Sequence, residues 1–318
     1  NAPTILKDFL SYHETVKAHS AKTVDEYFLD LRTFFRYLKR SRGLVSPDTP
    51  WDSISIADVD LELVGSVSLS EIYDYLIFLS RERQLSTASL ARKIAAIRSF
   101  YRYLTSKAHL LEENPVQELD SPRMKKTLPR YLTLEESLAL LDAVQGKNKE
   151  RDYCILMLFL NCGLRISELV NLNVSDIQGD TIRVLGKGNK ERILYLNEGC
   201  KAALESYLTV RAMLSLQHEP ALFVYNRRTR ITRAGIHKMV KKYLLTAGLD
   251  ASKYSAHKLR HTAATLMLQN GVDVRTLQEV LGHDHLNTTQ IYTHISSDDL
   301  KIAARANPLA DARQKKGS

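Results

Sequence analysis

Cysteine is scarce and dispersed in this chain: Cys154, Cys162 and Cys200 stand far apart, with no C-x-x-C pair. That spacing argues against a zinc ribbon and against the disulfide framework of a small secreted domain, and a reduced cytoplasm is the simplest setting. Long apolar runs are missing too. The longest, Cys154 to Leu160, is seven residues, far short of the ~20 needed to span a bilayer. No charged-then-apolar signal segment opens the sequence, so a soluble globular chain is expected. There is no internal repeat or low-complexity tract. Acid runs short in one part only: residues 1 to 120 carry 15 Lys+Arg against 17 Asp+Glu, whereas 121 to 318 carry 30 against 19. The clustered carboxylates that a metal-dependent nuclease needs are absent. The basic excess behind the net charge of +9 suggests a polyanion partner, although ribosomal, anionic-membrane or merely solubilising surfaces would fit equally.

What the chain has is helical periodicity. With 318 residues and 44% apolar content, about two domains with separate cores are expected. In the first, Pro3 to about Ala18 makes one helix and Ser20 caps a second. There Val24, Tyr27, Phe28, Leu31, Phe34, Phe35 and Leu38 recur as a core stripe before Gly43 stops it. Residues 44 to 67, with Pro47, Pro50 and Gly65, read as a loop with a short helical turn near Ile56 to Val59. Ser68 and Glu71 suit a capping box opening a helix to about Arg83. Ser86 caps another in which Leu90, Ile94, Ile97, Phe100, Tyr101 and Leu104 face inward. Its opposite face carries Arg92, Lys93, Arg98 and Arg102, which fit a DNA backbone or a solvated face about equally. Asn114-Pro115 ends the bundle. Ser121 to Arg130, with Pro122 and Pro129 and with Lys125 and Lys126 among its basic residues, reads as an extended linker.

The second domain opens on a capping box at Thr133 and Glu136, followed by a helix to about Val144 and one from Glu150 to Asn161. After Gly163 comes Leu164-Arg165-Ile166-Ser167-Glu168, whose Arg165 and Glu168 taken alone would be an ordinary helix ion pair. Thr181 to Leu185 and Arg192 to Leu196 read as the strands of a hairpin around Gly186-Lys187-Gly188-Asn189-Lys190-Glu191. This turn is no phosphate-binding P-loop. A helix from about Glu198 to Leu216, a short strand from Leu222 to Tyr225 and a helix from Thr232 to Ala247 follow. Arg227, Arg228, Arg230, Arg233, Lys238, Lys241 and Lys242 make the densest basic cluster, a candidate for phosphate contacts.

The most informative stretch runs from His257 to Tyr292. Ser255 and Asn270-Gly271 bound a helix over 256 to 269 that puts His257, Arg260 and His261 on one face. A short helix from about Asp273 to Leu281 ends at Gly282 and presents His283, and Asn287-Thr288-Thr289 precedes Tyr292. His257 and His261 share the i,i+4 spacing of a zinc helix, but Lys258 stands where H-E-x-x-H needs its glutamate. A lone tyrosine or histidine in such a stretch is by default a packed residue; the ordered set reverses that default.

H-x-x-R-H, then L-G-H, then T-T-Q-I-Y-T-H, preceded by G-L-R-I-S-E-L and G-K-G-N-K-E-R, resembles the signature of the tyrosine site-specific recombinases, most nearly the bacterial Xer type. The resemblance implies a mainly α fold with a small β-hairpin. A core-binding helical bundle over 1–120, a basic linker over 121–130 and a mostly helical catalytic domain over 131–318 would close as a C-clamp around DNA. It makes Tyr292 the nucleophile that forms a 3′-phosphotyrosyl intermediate on the way to a Holliday junction, with Arg165 and Arg260 clamping the phosphate. His257 would be the acid/base partner of the tyrosine, His283 a donor to the phosphate, Lys187 the general acid (Lys190 lies on the same hairpin), and Glu168 the supporting acid. His261, His285 and His294 take no direct part. No metal, ATP or other cofactor is implied. The implied partners are a double-stranded recombination site, a homo-tetramer exchanging C-terminal helices, and a second recombinase or host accessory protein, in a bacterial cytoplasm at the nucleoid. A type IB topoisomerase and a non-catalytic DNA-binding regulator are the competing readings.

Overall fold

The computed structural model describes residues 2–120, 130–186, 191–214, 219–225, 229–282 and 297–312, and the chain divides into two compact units, Asn1–Thr127 and Leu128–Ser318. Each has its own apolar core. The first unit is helical: α1 (Thr4–Ser11), α2 (Ala21–Ser41), α3 (Leu61–Gly65), α4 (Leu69–Arg81) and α5 (Thr87–Ser106). α1 ends sooner than its pattern suggests, since the chain widens into a π-turn over Tyr12–Val16. On α2 the Ser20 hydroxyl accepts from the Thr23 amide, and Leu31, Phe34, Phe35 and Leu38 are fully buried. Ser68 and Glu71 form both halves of the capping box that starts α4. The segment before it, expected as a loop over 44–67, contains α3 and a 3-10 turn over Trp51–Ser53 and is held from α2. Arg36 donates to the Asp52 and Ile54 carbonyls at 2.6 and 3.1 Å, and the Lys39 ammonium lies 2.7 Å from Asp58. Ile54, Ile56 and Val59 are thereby buried, with the expected turn closed by Val59 N–H donating to the Ile56 carbonyl at 3.2 Å.

The second unit contains α6 (Leu134–Asp142), α7 (Lys149–Cys162), α8 (Ile166–Asn171), an antiparallel sheet of β1 (Ile177–Gln178), β2 (Thr181–Leu185) and β3 (Glu191–Tyr195), then α9 (Glu198–Ala212), α10 (Arg233–Thr246), α11 (Ala256–Gln269), α12 (Val274–Leu281) and α13 (Ser297–Arg305). α7 is the spine. Every residue from Cys154 to Leu160 is 0% exposed, which is why its apolar run has no polar face. The strand expected over Leu222 to Tyr225 does not form; only isolated bridges pair Asn173 with Ala221 and Val224 with Arg230. The Leu222 amide donates to the Leu172 carbonyl and the Tyr225 amide to the Thr229 carbonyl, at 2.8 Å each, while the Leu222 carbonyl accepts from the Tyr207 hydroxyl and from Arg211 at 3.0 Å each, so backbone and side chains together satisfy the segment without a regular ladder. The end of the chain docks on this same unit. Asn307 donates to the Leu160 carbonyl at 2.9 Å, the Gly199 amide to Ala310 at 2.6 Å and Asn197 to Ala304 at 3.1 Å, while Ala303 and Leu309 are buried.

The basic stripe expected on the outer face of α5 is corrected at Lys93. That residue borders the inward row of Ile94, Ile97 and Phe100 and is only 8% exposed. Its ammonium lies 2.9 Å from the carboxylate of Asp30, itself buried. Arg92 shares Asp30 from a half-exposed position at 2.9 Å, and Arg102 is exposed. Lys93 therefore holds α5 to α2, its charge already paired and turned away from any phosphate. Removing one partner of such a buried pair costs about 3–5 kcal/mol, whereas apolar replacement of both is near neutral. Asp30→Ala should accordingly lower the urea midpoint of the full chain sharply, and Asp30→Leu with Lys93→Met should recover most of the loss. An unchanged midpoint in Asp30→Ala would reduce this pair to the standing of an exposed one.

Candidate active site

Gly163 is where the site begins. It closes α7 with φ +59, and a Cβ there would stand 2.5 Å from the Leu281 side chain, so only glycine makes this turn without displacing α12. The turn sends Leu164 into the core, 0% exposed, and sets Arg165 at the N-cap of α8 with extended backbone. One turn on, Glu168 reaches back to accept from the Arg165 amide at 2.8 Å and from its Nη1 at 2.7 Å. The i,i+3 pair legible in the sequence is thus a buried contact, since the Glu168 side chain is 3% exposed.

Two more arginines meet that carboxylate. Arg192 on β3 donates Nη1 to Oε1 at 2.8 Å and Nη2 to Oε2 at 2.9 Å, a bidentate grip. Arg260 on α11 brings Nη1 to 3.9 Å from Oε2. The same three arginines take three successive carbonyls at the C-terminal end of α12. Arg192 Nε donates to Val280 at 3.2 Å, Arg260 Nη2 to Leu281 at 2.6 Å and Arg165 Nη2 to Gly282 at 2.8 Å. Helix-end carbonyls lack intrahelical donors and sit at the negative end of the helix dipole, so they are natural partners for cations. Arg260 also donates Nη1 to the Gly163 carbonyl at 2.6 Å, joining the ends of α7 and α12. Gly282, with φ +65, closes α12 against the Arg192 guanidinium; a Cβ there would lie 3.0 Å from that side chain.

Exposure separates the three. The Arg165 side chain is 35% exposed against 13% for Arg192 and 6% for Arg260. Burial, then the charge of Arg165, lowers the Arg260 pKa to about 10, with Glu168 opposing them; it stays a cation at neutral pH. Burial pushes the Glu168 carboxyl up, but the hydrogen bonds and charge of Arg192 and the bonds from Arg165 outweigh it, and the net direction is down. His257 opens α11 one turn before Arg260, and its ring meets that of His261 edge to face at 4.8 Å. Burial first, then Arg260, Lys258 and Arg165, lowers the His257 pKa below its ordinary 6.5, so the imidazole is neutral at neutral pH. The cluster can bind an oxyanion and accept a proton beside it.

Of the residues expected from sequence, Arg165, Glu168, His257 and Arg260 come together around the α7 and α12 ends. Lys187, Lys190, His283, His285, Tyr292 and His294 lie outside the described residues, as do Lys125, Lys126, Arg227 and Arg228. Arg230 is a correction. It donates to the Val170 and Leu172 carbonyls at 2.9 and 3.0 Å and pairs with Asn173, so it caps α8 instead of facing DNA. Arg233, Lys238, Lys241 and Lys242 do form an exposed face of α10. Among the described residues no group of three or more His, Cys, Asp or Glu could hold a metal ion, and no helix is long and apolar enough to cross a membrane. Arg192 is the residue that sequence reasoning missed. It pairs across the hairpin with Val184, on the inward parity of a strand, and a cation there requires a buried anion.

Comparison with known proteins gives the family. Residues 130–298 match the phage integrase family and residues 6–108 the phage integrase N-terminal SAM-like domain. The chain is 52% identical to tyrosine recombinase XerC of Caldanaerobacter subterraneus subsp. tengcongensis, over 97% of this chain and 88% of that protein. It is 36% identical to tyrosine recombinase XerC of Herpetosiphon aurantiacus, over 92% and 91%. A crystal structure of XerH site-specific recombinase bound to difH substrate, in a pre-cleavage complex, aligns with a TM-score of 0.61 at 25% identity, covering 86% of this chain and 77% of that one.

The hub has a pH signature. A carboxyl lowered in the fold gives stability that is complete above its unfolded pKa and lost as pH falls through the lower folded one. The stability difference between wild type and Glu168→Gln, from urea unfolding, should therefore be constant near neutrality and shrink below pH 4.5, the ordinary value. A difference that stays flat into acid would mean that the charge of Glu168 does not hold the arginines.

Proposed function

The chain belongs to the phage integrase family as a tyrosine recombinase of the Xer type, and we propose that it cuts and rejoins DNA through a 3′-phosphotyrosyl link formed by Tyr292. It is an enzyme of site-specific DNA recombination. Likeness to tyrosine recombinases over 97% of the chain disfavours a topoisomerase acting alone and a non-catalytic regulator.

The observation that carries the mechanism is the pair Arg165 and Arg260, held by Glu168 and by the α12 end. Planar guanidiniums bind phosphate oxygens and keep their charge at any physiological pH. Donors held in advance stabilise charge as it develops without reorganising at the moment of reaction. In the proposed step the Tyr292 oxygen attacks phosphorus while its proton passes to His257, whose depressed pKa keeps it neutral and able to accept. The bond from phosphorus to the 5′ oxygen breaks, and Lys187 gives that oxygen a proton. His283, the residue after Gly282, donates to a non-bridging oxygen. Attack by the released 5′ hydroxyl of a partner strand reverses the step and yields a Holliday junction. No metal or nucleotide enters the scheme.

The partner is a double-stranded recombination site, contacted through Arg92, Arg98, Arg102, Lys125, Lys126, Arg227, Arg228, Arg233, Lys241 and Lys242. Lys93 and Arg230, engaged within the fold, drop out of that set. The working form is a homo-tetramer on paired sites in which α13 passes between neighbours, with a second recombinase or host protein as accessory, in the bacterial cytoplasm at the nucleoid. Within one chain Ala303, Asn307 and Leu309 are buried on the same unit, and that surface is the one a neighbour's segment would take in the exchange.

The test is covalent capture. Wild type incubated with a library of nicked random-sequence duplexes should retain DNA through denaturing electrophoresis, in excess EDTA, and sequencing that DNA gives the site. Tyr292→Phe should bind the recovered site with unchanged affinity and retain nothing. An undiminished adduct in Tyr292→Phe would remove the nucleophile, and an adduct that needs added metal would remove the scheme.

A further inference from the structure

We propose that Arg192 is a positioning residue for the phosphate clamp: it orients Glu168 and absorbs its charge, so that the acid holds Arg165 and Arg260 in place without cancelling them. The inference rests on the reading of those two arginines as the groups that bind the scissile phosphate. Its basis is the pattern of contacts. Glu168 is one carboxylate shared by Arg165, Arg192 and Arg260. A carboxylate with no other strong partner would draw Arg165 and Arg260 onto itself, and a guanidinium so neutralised has less to offer a phosphate. Arg192 occupies both oxygens at 2.8 and 2.9 Å, fixing the plane of the carboxylate. Arg165 meets Oε1 through one nitrogen at 2.7 Å, and Arg260 stays 3.9 Å from Oε2.

Arg192 also touches the other support of the clamp. Its Nε bonds to the Val280 carbonyl at 3.2 Å, and the next two carbonyls, Leu281 and Gly282, are those that hold Arg260 and Arg165. Both surfaces against which the clamp rests are therefore gripped by one side chain. That side chain is 13% exposed, against 35% for Arg165, and points inward from β3, so it acts through the clamp and not on DNA. β3 pairs with β2, which makes Arg192 a tie between the sheet and the arginines.

The experiment measures affinity and single-turnover cleavage on the nicked duplex recovered by covalent capture, for full-length wild type, Arg192→Ala, Arg192→Lys, Glu168→Gln and the Glu168→Gln/Arg192→Ala double variant. Arg192→Ala should bind the duplex within about twofold of wild type. Its cleavage at saturating DNA should fall on the order of 10²-fold, the scale of a small misplacement of catalytic groups. Arg192→Lys keeps a charge but cannot take both oxygens, so it should also be impaired, and it carries the test if Arg192→Ala does not fold. Because Arg192 acts through Glu168, the double variant should be no slower than the slower single one. Wild-type cleavage by both Arg192 variants, multiplicative losses in the double variant, or a loss confined to DNA affinity would each overturn the proposal. Arg165→Ala, run in parallel, separates the two layers: if it cleaves at the wild-type rate, the clamp reading itself fails, whereas an inactive Arg165→Ala beside active Arg192 variants condemns only the role given to Arg192.

Discussion

Three guanidiniums converging in one partly buried space would repel one another, and the structure of the catalytic unit turns on how that repulsion is met. The answer is one carboxylate and one helix end. Glu168 supplies the formal charge, while the carbonyls of Val280, Leu281 and Gly282 each accept from a different arginine. Neither would suffice alone. A single carboxylate cannot satisfy the roughly fifteen N–H donors of three guanidiniums, and carbonyl dipoles do not neutralise cations. Arginine is suited to such a place because it cannot shed its charge when buried, as lysine readily does.

This arrangement explains features of the chain that are distant from the chemistry. The left-handed glycine after α7 lets the chain turn into α8 beneath the Leu281 side chain, where a Cβ would clash, and Arg165 then reaches the Gly282 carbonyl. The apolar spine of α7 holds that corner rigidly, and the bond from Arg260 to the Gly163 carbonyl, 2.6 Å long, ties it to α12. The desolvation cost of the cations is met during folding. A phosphate entering the site meets donors already aimed, which is where the electrostatic part of a phosphoryl transfer gains its advantage. The neutral imidazole of His257 has the same origin, since its burial and the cations around it oppose a further charge.

How much of this the sequence shows depends on the range of the interaction. Capping boxes at Ser68 with Glu71 and Thr133 with Glu136 formed as expected, because these signals lie within one turn; α11 spans Ala256–Gln269 with Ser255 at its N-cap position, although the Ser255 hydroxyl makes no capping bond. The clustering of Arg165, Glu168, His257 and Arg260 was readable through motif resemblance, not through periodicity. Cations were the failures, in both directions. Lys93 and Arg230 looked like surface charge and proved to be bound to Asp30 and to the end of α8. Arg192 looked like an ordinary strand residue and holds the carboxylate at the centre of the site. A long basic side chain says nothing of its partner when that partner is remote in sequence. The one local clue at Arg192 was its inward parity on β3.

The central claim is that Arg165 and Arg260 wait in their working positions, held there by Glu168. A crystal structure of Tyr292→Phe bound to its nicked site tests this most directly. The account predicts both guanidiniums about 2.7–2.9 Å from non-bridging oxygens of the scissile phosphate, with the bidentate contact from Arg192 to Glu168 and the three bonds to the α12 end unchanged. A phosphate bound without either arginine, or a Glu168 carboxylate pulled away from Arg192 when DNA enters, would contradict it.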